Sequence, residues 1–441
     1  MFKINTKLNP KYLLFFAIFV SPMGAQAFSF PIGGMRMSLF RLLILLILLL
    51  FVIQNKKITV KLGSLYSTKF MLSWLTYAII SFFWVIDDIS GLKAVFFIFI
   101  GVVSMLLCMN YFDSIEDVKK AFCSFSYGIG VQTIIGWYEV VTLEYHYMTG
   151  GEEQLQNYIA RGLRLPIAML GNPNDYATLM LFGFFIGCSC YFICNSHFFK
   201  IVHLLLAINC AVLLVMTMSR ANIIGLFLGI GIFILLIGHK KAFIVTVALL
   251  VVLIFSPVTA VMSEVLQFNL NATIGSDITR VGLIKTGLDY FIHSFGFGVG
   301  AGQIESWITN FGSDYYVGNI SDLHNWWLEI LVNYGIIVFI GYALFYTNQF
   351  IGNFRTARER YGNAMAKYVS IAICCILTGF TIASVSSSSN MNNEWLWMFW
   401  GVCISYEGLR EQENNKEKSD QNIPPTSRIN VSCARNRWKN G

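Results

Sequence analysis

Long apolar runs decide what this chain can fold into. A helix rises about 1.5 Å per residue, so roughly 20 apolar residues cross the ~30 Å hydrocarbon core of a bilayer. Read on that rule, the chain holds about twelve such runs. They lie near residues 12–30, 37–53, 69–86, 91–112, 122–143, 175–194, 198–218, 221–238, 242–262, 328–349, 368–385 and 394–407. Pro22 and Gly24 interrupt the first, and the last is short. No aqueous core could hide them all. Of 441 residues, 56% are apolar and 12% charged, where a soluble domain carries about 25% charged residues. The expected fold class is an all-α polytopic integral membrane protein, not a soluble enzyme.

Lys and Arg favour the cytoplasmic side of short loops. With the N-terminus inside and the runs alternating, most of the 31 cations fall inside: Lys3, Lys7, Lys11, the Lys56–Lys69 cluster, Lys119 and Lys120, Lys200, Lys240 and Lys241, Arg355–Lys367, and the tail. Both termini are therefore expected in the cytoplasm. The net charge of +7 is mostly a topology signal and does not indicate nucleic-acid binding. Lys3/Lys7/Lys11, Tyr12–Val20 and Ala25-Gln26-Ala27 also resemble a cleavable signal peptide. Arg36 emerges on the same side either way.

This topology divides the chain into four parts. Residues 1–262 carry nine spans, with an outer loop at about 144–174. Residues 263–327 form a large extracytoplasmic loop between spans nine and ten, 328–407 carry three more spans, and 408–441 form a disordered cytoplasmic tail. Loops this long inside a compact protein usually carry function, so the working face is expected outside. No cysteine falls in an expected outer loop, which implies no disulfide framework. Cys188, Cys190 and Cys194 briefly suggest a metal site. Cys188 and Cys190, two apart on a helix, face different sides and read as apolar filler.

Five cations oppose the inside bias: Arg161, Arg164, Arg220, Arg280 and Lys285. A guanidinium fork matches phosphate oxygens with two parallel hydrogen bonds. Arg220, at the outer junction of two apolar runs, either snorkels to the interface or faces a polar cavity and pairs with an anion. Arg280 either pairs with Asp277 or meets an anion, at the start of an amphipathic segment, Val281–Ile292. Arg161 and Arg164, three apart on a short helix, project to one side and read as a solvated face or a headgroup contact. The glycines of Gly296-Phe297-Gly298-Val299-Gly300-Ala301-Gly302 lack the spacing and βαβ context of a dinucleotide fingerprint. They read as a side-chain-free turn packed closely on the membrane domain. His324, between Asp322 and Asn325 and ahead of Trp326 and Trp327, is either structural or a proton acceptor oriented by an Asp.

These pieces together resemble the O-antigen ligase/polymerase superfamily of bacterial polysaccharide polymerases and ligases. The resemblance rests on Gly171-Asn172-Pro173-Asn174-Asp175, Ser219-Arg220, Arg280 ahead of the glycine run, and His324-Asn325 followed by Gly335. It covers roughly 12–407. The Trp137-Tyr138-Glu139 segment looks most like the capsule or teichuronic-acid polymerase branch. The ligase pattern has a glycine three residues after Gly335, where this chain has Val338.

The resemblance implies a GT-C-like glycosyltransferase in the bacterial cytoplasmic membrane, with its active site outside. Its donor would be an undecaprenyl-diphosphate-linked oligosaccharide, with a chain-length regulator as a candidate partner. Arg220 and Arg280 would bind the diphosphate, and His324 would act as general base. Arg161, Arg164, Asn174, Asp322 and Asn325 would contact substrate. It implies no metal and no nucleotide cofactor. The outer acids Asp87/Asp88, Glu152/Glu153 and Asp322 form no D-x-D pair, which also reads against metal catalysis. A ligase using another acceptor is the first alternative. A transporter or flippase is the second, though no large inner loop divides the chain into halves.

Overall fold

The computed structural model describes residues 9–25, 29–32, 35–147, 159–160, 163–238, 278–318, 320–359, 363–387 and 389–421. The ninth expected span, Arg161 and Asp277 lie outside them.

Helix α1 (Pro10–Val20) opens on Asn9, whose side chain accepts the Lys11 N–H, with Pro10 at the first position, where its missing N–H costs nothing. A 3₁₀ turn, Ser21–Met23, and Gly24 at φ +67° end it. The first run therefore stops short of the expected residue 30, because Pro22 and a left-handed glycine break the helix. A short antiparallel hairpin follows, β1 (Phe30–Ile32) and β2 (Met35–Met37). Next come α2 (Leu39–Ile53), α3 (Leu65–Ile80), α4 (Asp88–Tyr111) and α5 (Ile115–Thr142). Ser114 and Asp117 form a capping box at the head of α5. Helices α6 (Pro173–Ile193), α7 (His197–Met216) and α8 (Arg220–Ile237) follow.

Of the described helices, α4, α6, α7, α8, α11 (Trp326–Arg358) and α12 (Ala364–Ala383) are long and apolar enough to cross a bilayer. Helices α7 and α8 leave Phe198, Ile201, Leu205, Ile224, Leu228 and Leu235 exposed. Water would not tolerate such faces, whereas lipid solvates them. The protein is a multi-pass membrane protein. Inside, α12 packs against α6 and α8, and α4 against α13 (Glu394–Gln421). At the α8–α12 crossing the backbones touch: a Cβ on Gly225 would lie 2.6 Å from the Gly379 carbonyl oxygen. Small residues permit such close crossings in lipid. Helix α13 continues to Gln421, past residue 408 where the tail was expected. Its middle is held in place: Glu407 accepts from Ser67 at 2.6 Å and Gln349 at 2.7 Å.

The described part of the segment before α11 is folded. It contains a helix over 278–293 (α9), the glycine run and α10 (Ile304–Phe311). A small separate core of Leu283, Val299, Ile304, Ile308, Leu323 and Val332 holds it together. The glycine run lies against a kink in α11 at Gly335, φ +73°. The Val299 N–H donates to the Val332 carbonyl at 2.8 Å, and the Ile336 N–H to the Gly296 carbonyl at 3.0 Å. A Cβ on Gly298 would sit 2.5 Å from the Gly335 nitrogen. Both glycines are needed for this contact, as the side-chain-free turn expected from sequence requires. Gln303 completes the attachment. Its Oε1 accepts the N–H groups of Ile86 and Asp87, both at 2.9 Å, at the head of α4.

Candidate functional site

Two of the motifs read from the sequence, those of Asn174 and of Ser219-Arg220, meet around one buried amide. Asn222, in the first turn of α8, is fully buried. Its Nδ2 donates to Ser219 Oγ at 2.9 Å, the Asn174 carbonyl at 3.3 Å and Ser386 Oγ at 3.4 Å. Its Oδ1 accepts from Thr178 at 3.0 Å. One side chain thus ties together the first turns of α6, the α7–α8 turn and the α12–α13 connector. A buried amide costs several kcal/mol if unpaired, so this network fixes all three segments. Arg220 stands two residues from Asn222 as the first residue of α8, exposed.

The start of α11, just after His324, attaches to the same connector. The Trp326 N–H donates to the Ser384 carbonyl at 3.0 Å, two residues before the Ser386 that Asn222 reaches. Further along, Ser389 donates to Glu329 at 2.6 Å. His324 itself is strained, at φ +46°. Asp322 supports that turn by accepting the His324 N–H at 2.6 Å, and its Oδ1 lies 3.8 Å from the ring Nδ1. The second distance is longer than a hydrogen bond. Asn325 caps α11, accepting the Leu328 N–H at 3.2 Å.

Acidic side chains gather at this end. The carboxylates of Asp175, Glu305 and Asp322 all act electrostatically on Glu329. Burial of the Glu305 carboxyl, then repulsion by Asp322, raises its pKa, against the opposing pull of Lys93 and His324. A site this acidic needs cations to hold an anionic group. Arg220 is the sequence-selected cation on the elements that the Asn222 network joins, and Arg280 lies at the start of α9. Arg280 is half-buried in the outer segment, three residues before the buried Leu283 of its small core.

Arg164 serves differently. It lies in the irregular stretch 163–167, not on a helix, and its Nη1 donates to the Val140 carbonyl at 2.8 Å. It thereby caps the C-terminal end of α5, where unpaired carbonyls attract a cation.

Two features escaped sequence reading. Buried Glu139 accepts the Ile167 and Ala168 N–H groups at 2.8 and 2.7 Å, pinning the stretch of chain that leads into Gly171. Buried Arg41 pairs with Glu394, Nε to Oε1 at 2.6 Å, and Ser38 donates to the same oxygen at 2.5 Å. A charge in the first turn of an apolar run is the signal that could have revealed this pair.

Residues 204–343 match the family model described as O-Antigen ligase. The matched stretch runs from α7 through Arg220, Arg280, the glycine run and His324 into the kinked helix α11. The Teichuronic acid biosynthesis protein TuaE of Bacillus subtilis (strain 168) is 25% identical over 353 residues, covering 76% of this chain and 70% of the relative.

Proposed function

We propose that this chain is a surface-polysaccharide polymerase of the O-antigen ligase/polymerase superfamily, a reading supported by the family match and the relative. It transfers an undecaprenyl-diphosphate-linked glycan to an acceptor sugar hydroxyl on the outer face of the cytoplasmic membrane. The observation that carries this reading is the Asn222 network, which draws the Asn174, Ser219 and Ser386 segments together beside Arg220.

The chemistry follows from the residue types. The acceptor oxygen attacks the anomeric carbon, its bond to the diphosphate oxygen breaks, and the configuration inverts. His324 takes the hydroxyl proton, while Asp322 holds the histidine turn. Arg220 and Arg280 neutralise the charge that develops on the departing lipid diphosphate. General-base help contributes ~10²–10⁴ in rate, and one lost electrostatic donor costs about 10²–10³. The reaction needs no metal to activate a leaving group that two guanidinium groups neutralise. Among the other sequence-selected residues, Asn174 and Asp322 lie on elements of this site. Arg161 falls outside the described residues.

The test is glycan profiling of cells carrying His324→Ala or Arg220→Ala proteins that still reach the membrane. Loss of long polymer with accumulation of single lipid-linked repeats is expected. Normal polymer from both variants would end the site assignment. The family description favours one second reading, a ligase handing finished glycan to lipid A core, peptidoglycan or protein. Full-length chains stranded on the lipid carrier in knockout cells would select it.

A further inference from the structure

The far end of α5, α6 and α7 holds a buried cluster that glycan transfer does not use. Cys123 of α5 has its Sγ 3.9 Å from Sγ of Cys190 and 3.8 Å from Sγ of Cys194, at the end of α6. His203 of α7 joins them: one ligand atom each from Cys123, Cys190 and His203 lies within 4.8 Å of the others. All three cysteines are free thiols. His203 is fully buried, its Nδ1 2.9 Å from Ser126 Oγ, and its Nε2 has no hydrogen-bond partner.

We propose that Cys123, Cys190 and His203 bind one zinc-type divalent ion that staples α5, α6 and α7, with Cys194, whose Sγ lies 3.8 Å from that of Cys123 but outside the mutual 4.8 Å set, closing in as the fourth ligand. Three observations carry this. A tetrahedral ion with ~2.3 Å metal–sulfur bonds spaces its sulfurs about 3.8 Å apart, the separation seen from Cys123 to both neighbours. A metal-bound histidine normally engages its second ring nitrogen in a hydrogen bond that fixes the tautomer. Ser126 does this at Nδ1, leaving Nε2 as the ligand and giving a purpose to an otherwise unpaired buried nitrogen. Three thiolates and a dication leave one net negative charge; Lys119 and its ion-pair partner Glu116 both act on the Cys194 sulfur, with opposite signs. Binding releases three thiol protons and changes no oxidation state. Cys190 and Cys194 are four apart and share a helix face. The sequence reading paired Cys188 with Cys190 and did not see Cys123 and His203 arriving from other helices.

The full chain is purified in detergent through a tag without histidine, with no chelator, and its metals are counted. About one zinc ion per chain is expected. Protein from cobalt-grown cells should show thiolate-to-cobalt charge-transfer bands. Cys194→Ser, at the helix end and least disruptive to the fold, should lose the bound ion and those bands, whereas Cys188→Ser should keep both. Ser126→Ala should lower the affinity for zinc about tenfold in chelator competition. Wild-type protein with less than about a tenth of an ion per chain would overturn the proposal. So would a Cys123–Cys194 disulfide in thiol-blocked extracts, or full zinc content in Cys194→Ser.

Discussion

Asp322 and Glu305 flank the same histidine turn with opposite consequences. The Asp322 carboxylate accepts the N–H of a residue held at φ +46°, so Asp322→Ala should destabilise that turn by about 1 kcal/mol. Asp322→Asn keeps an acceptor and should cost less than half as much. Glycan synthesis by the two variants then separates support of the backbone from action on the ring: activity in Asn but not Ala assigns Asp322 to holding the turn. Glu305 is a liability. Its pKa is raised by burial, then by Asp322, so the folded state binds its proton more tightly than the unfolded state does. Its contribution to stability is favourable below the ordinary carboxylate range and is lost as pH rises through the raised folded value. Glu305→Gln should therefore raise the melting temperature at neutral pH and do nothing at strongly acid pH. The Glu305 side chain still reaches solvent, so the gain should stay below about 1 kcal/mol. At this scale the sequence exposed charges in unexpected places, such as Arg220 and His324. It could not expose Asn222 or Glu139, whose importance comes entirely from the segments they join.

Helices were legible because hydropathy marks them over many residues. Eleven of the expected runs overlap described helices, with ends displaced where Pro22, Gly24 or a side-chain cap intervened. The outer segment was less legible. Its core takes single residues from α9, the glycine run, α10 and α11, and no local period announces such a core. The glycines did give a local signal, and the structure makes it testable. Added methyl groups at Gly298 and Gly335 would each lie 2.5 Å from backbone atoms of the other segment, at positive φ. Gly298→Ala and Gly335→Ala should each destabilise the protein by more than about 2 kcal/mol and open the 296–303 segment to limited proteolysis. Gly312, at φ +74° with open space around it, provides the comparison: Gly312→Ala carries the backbone strain alone, about 1 kcal/mol.

Across the whole molecule, α5, α11, α12 and α13 each carry cations toward one end and lead toward the site at the other. Helix α5 carries Lys119 and Lys120 near its start and Glu139 near its end; α11 starts beside His324 and ends at Arg355 and Arg358. Helix α12 carries Lys367 in its first turn and ends beside Ser384, and α13 starts at Glu394 and passes Arg410. About 30 Å of helix separates Lys119 from Glu139, the thickness of the hydrocarbon core. If the basic ends lie in the cytoplasm, His324 and Arg220 face outward and the cysteine cluster faces the reducing side, where thiols persist. The orientation can be read directly. Asn310→Cys places an exposed thiol on α10, and Lys120→Cys places one at the basic end of α5. A membrane-impermeant maleimide added to intact cells should label Asn310→Cys at once and Lys120→Cys only after the membrane is opened. The reverse pattern would put His324 on the cytoplasmic side and refute transfer at the outer face, even if both histidine and arginine variants lost activity.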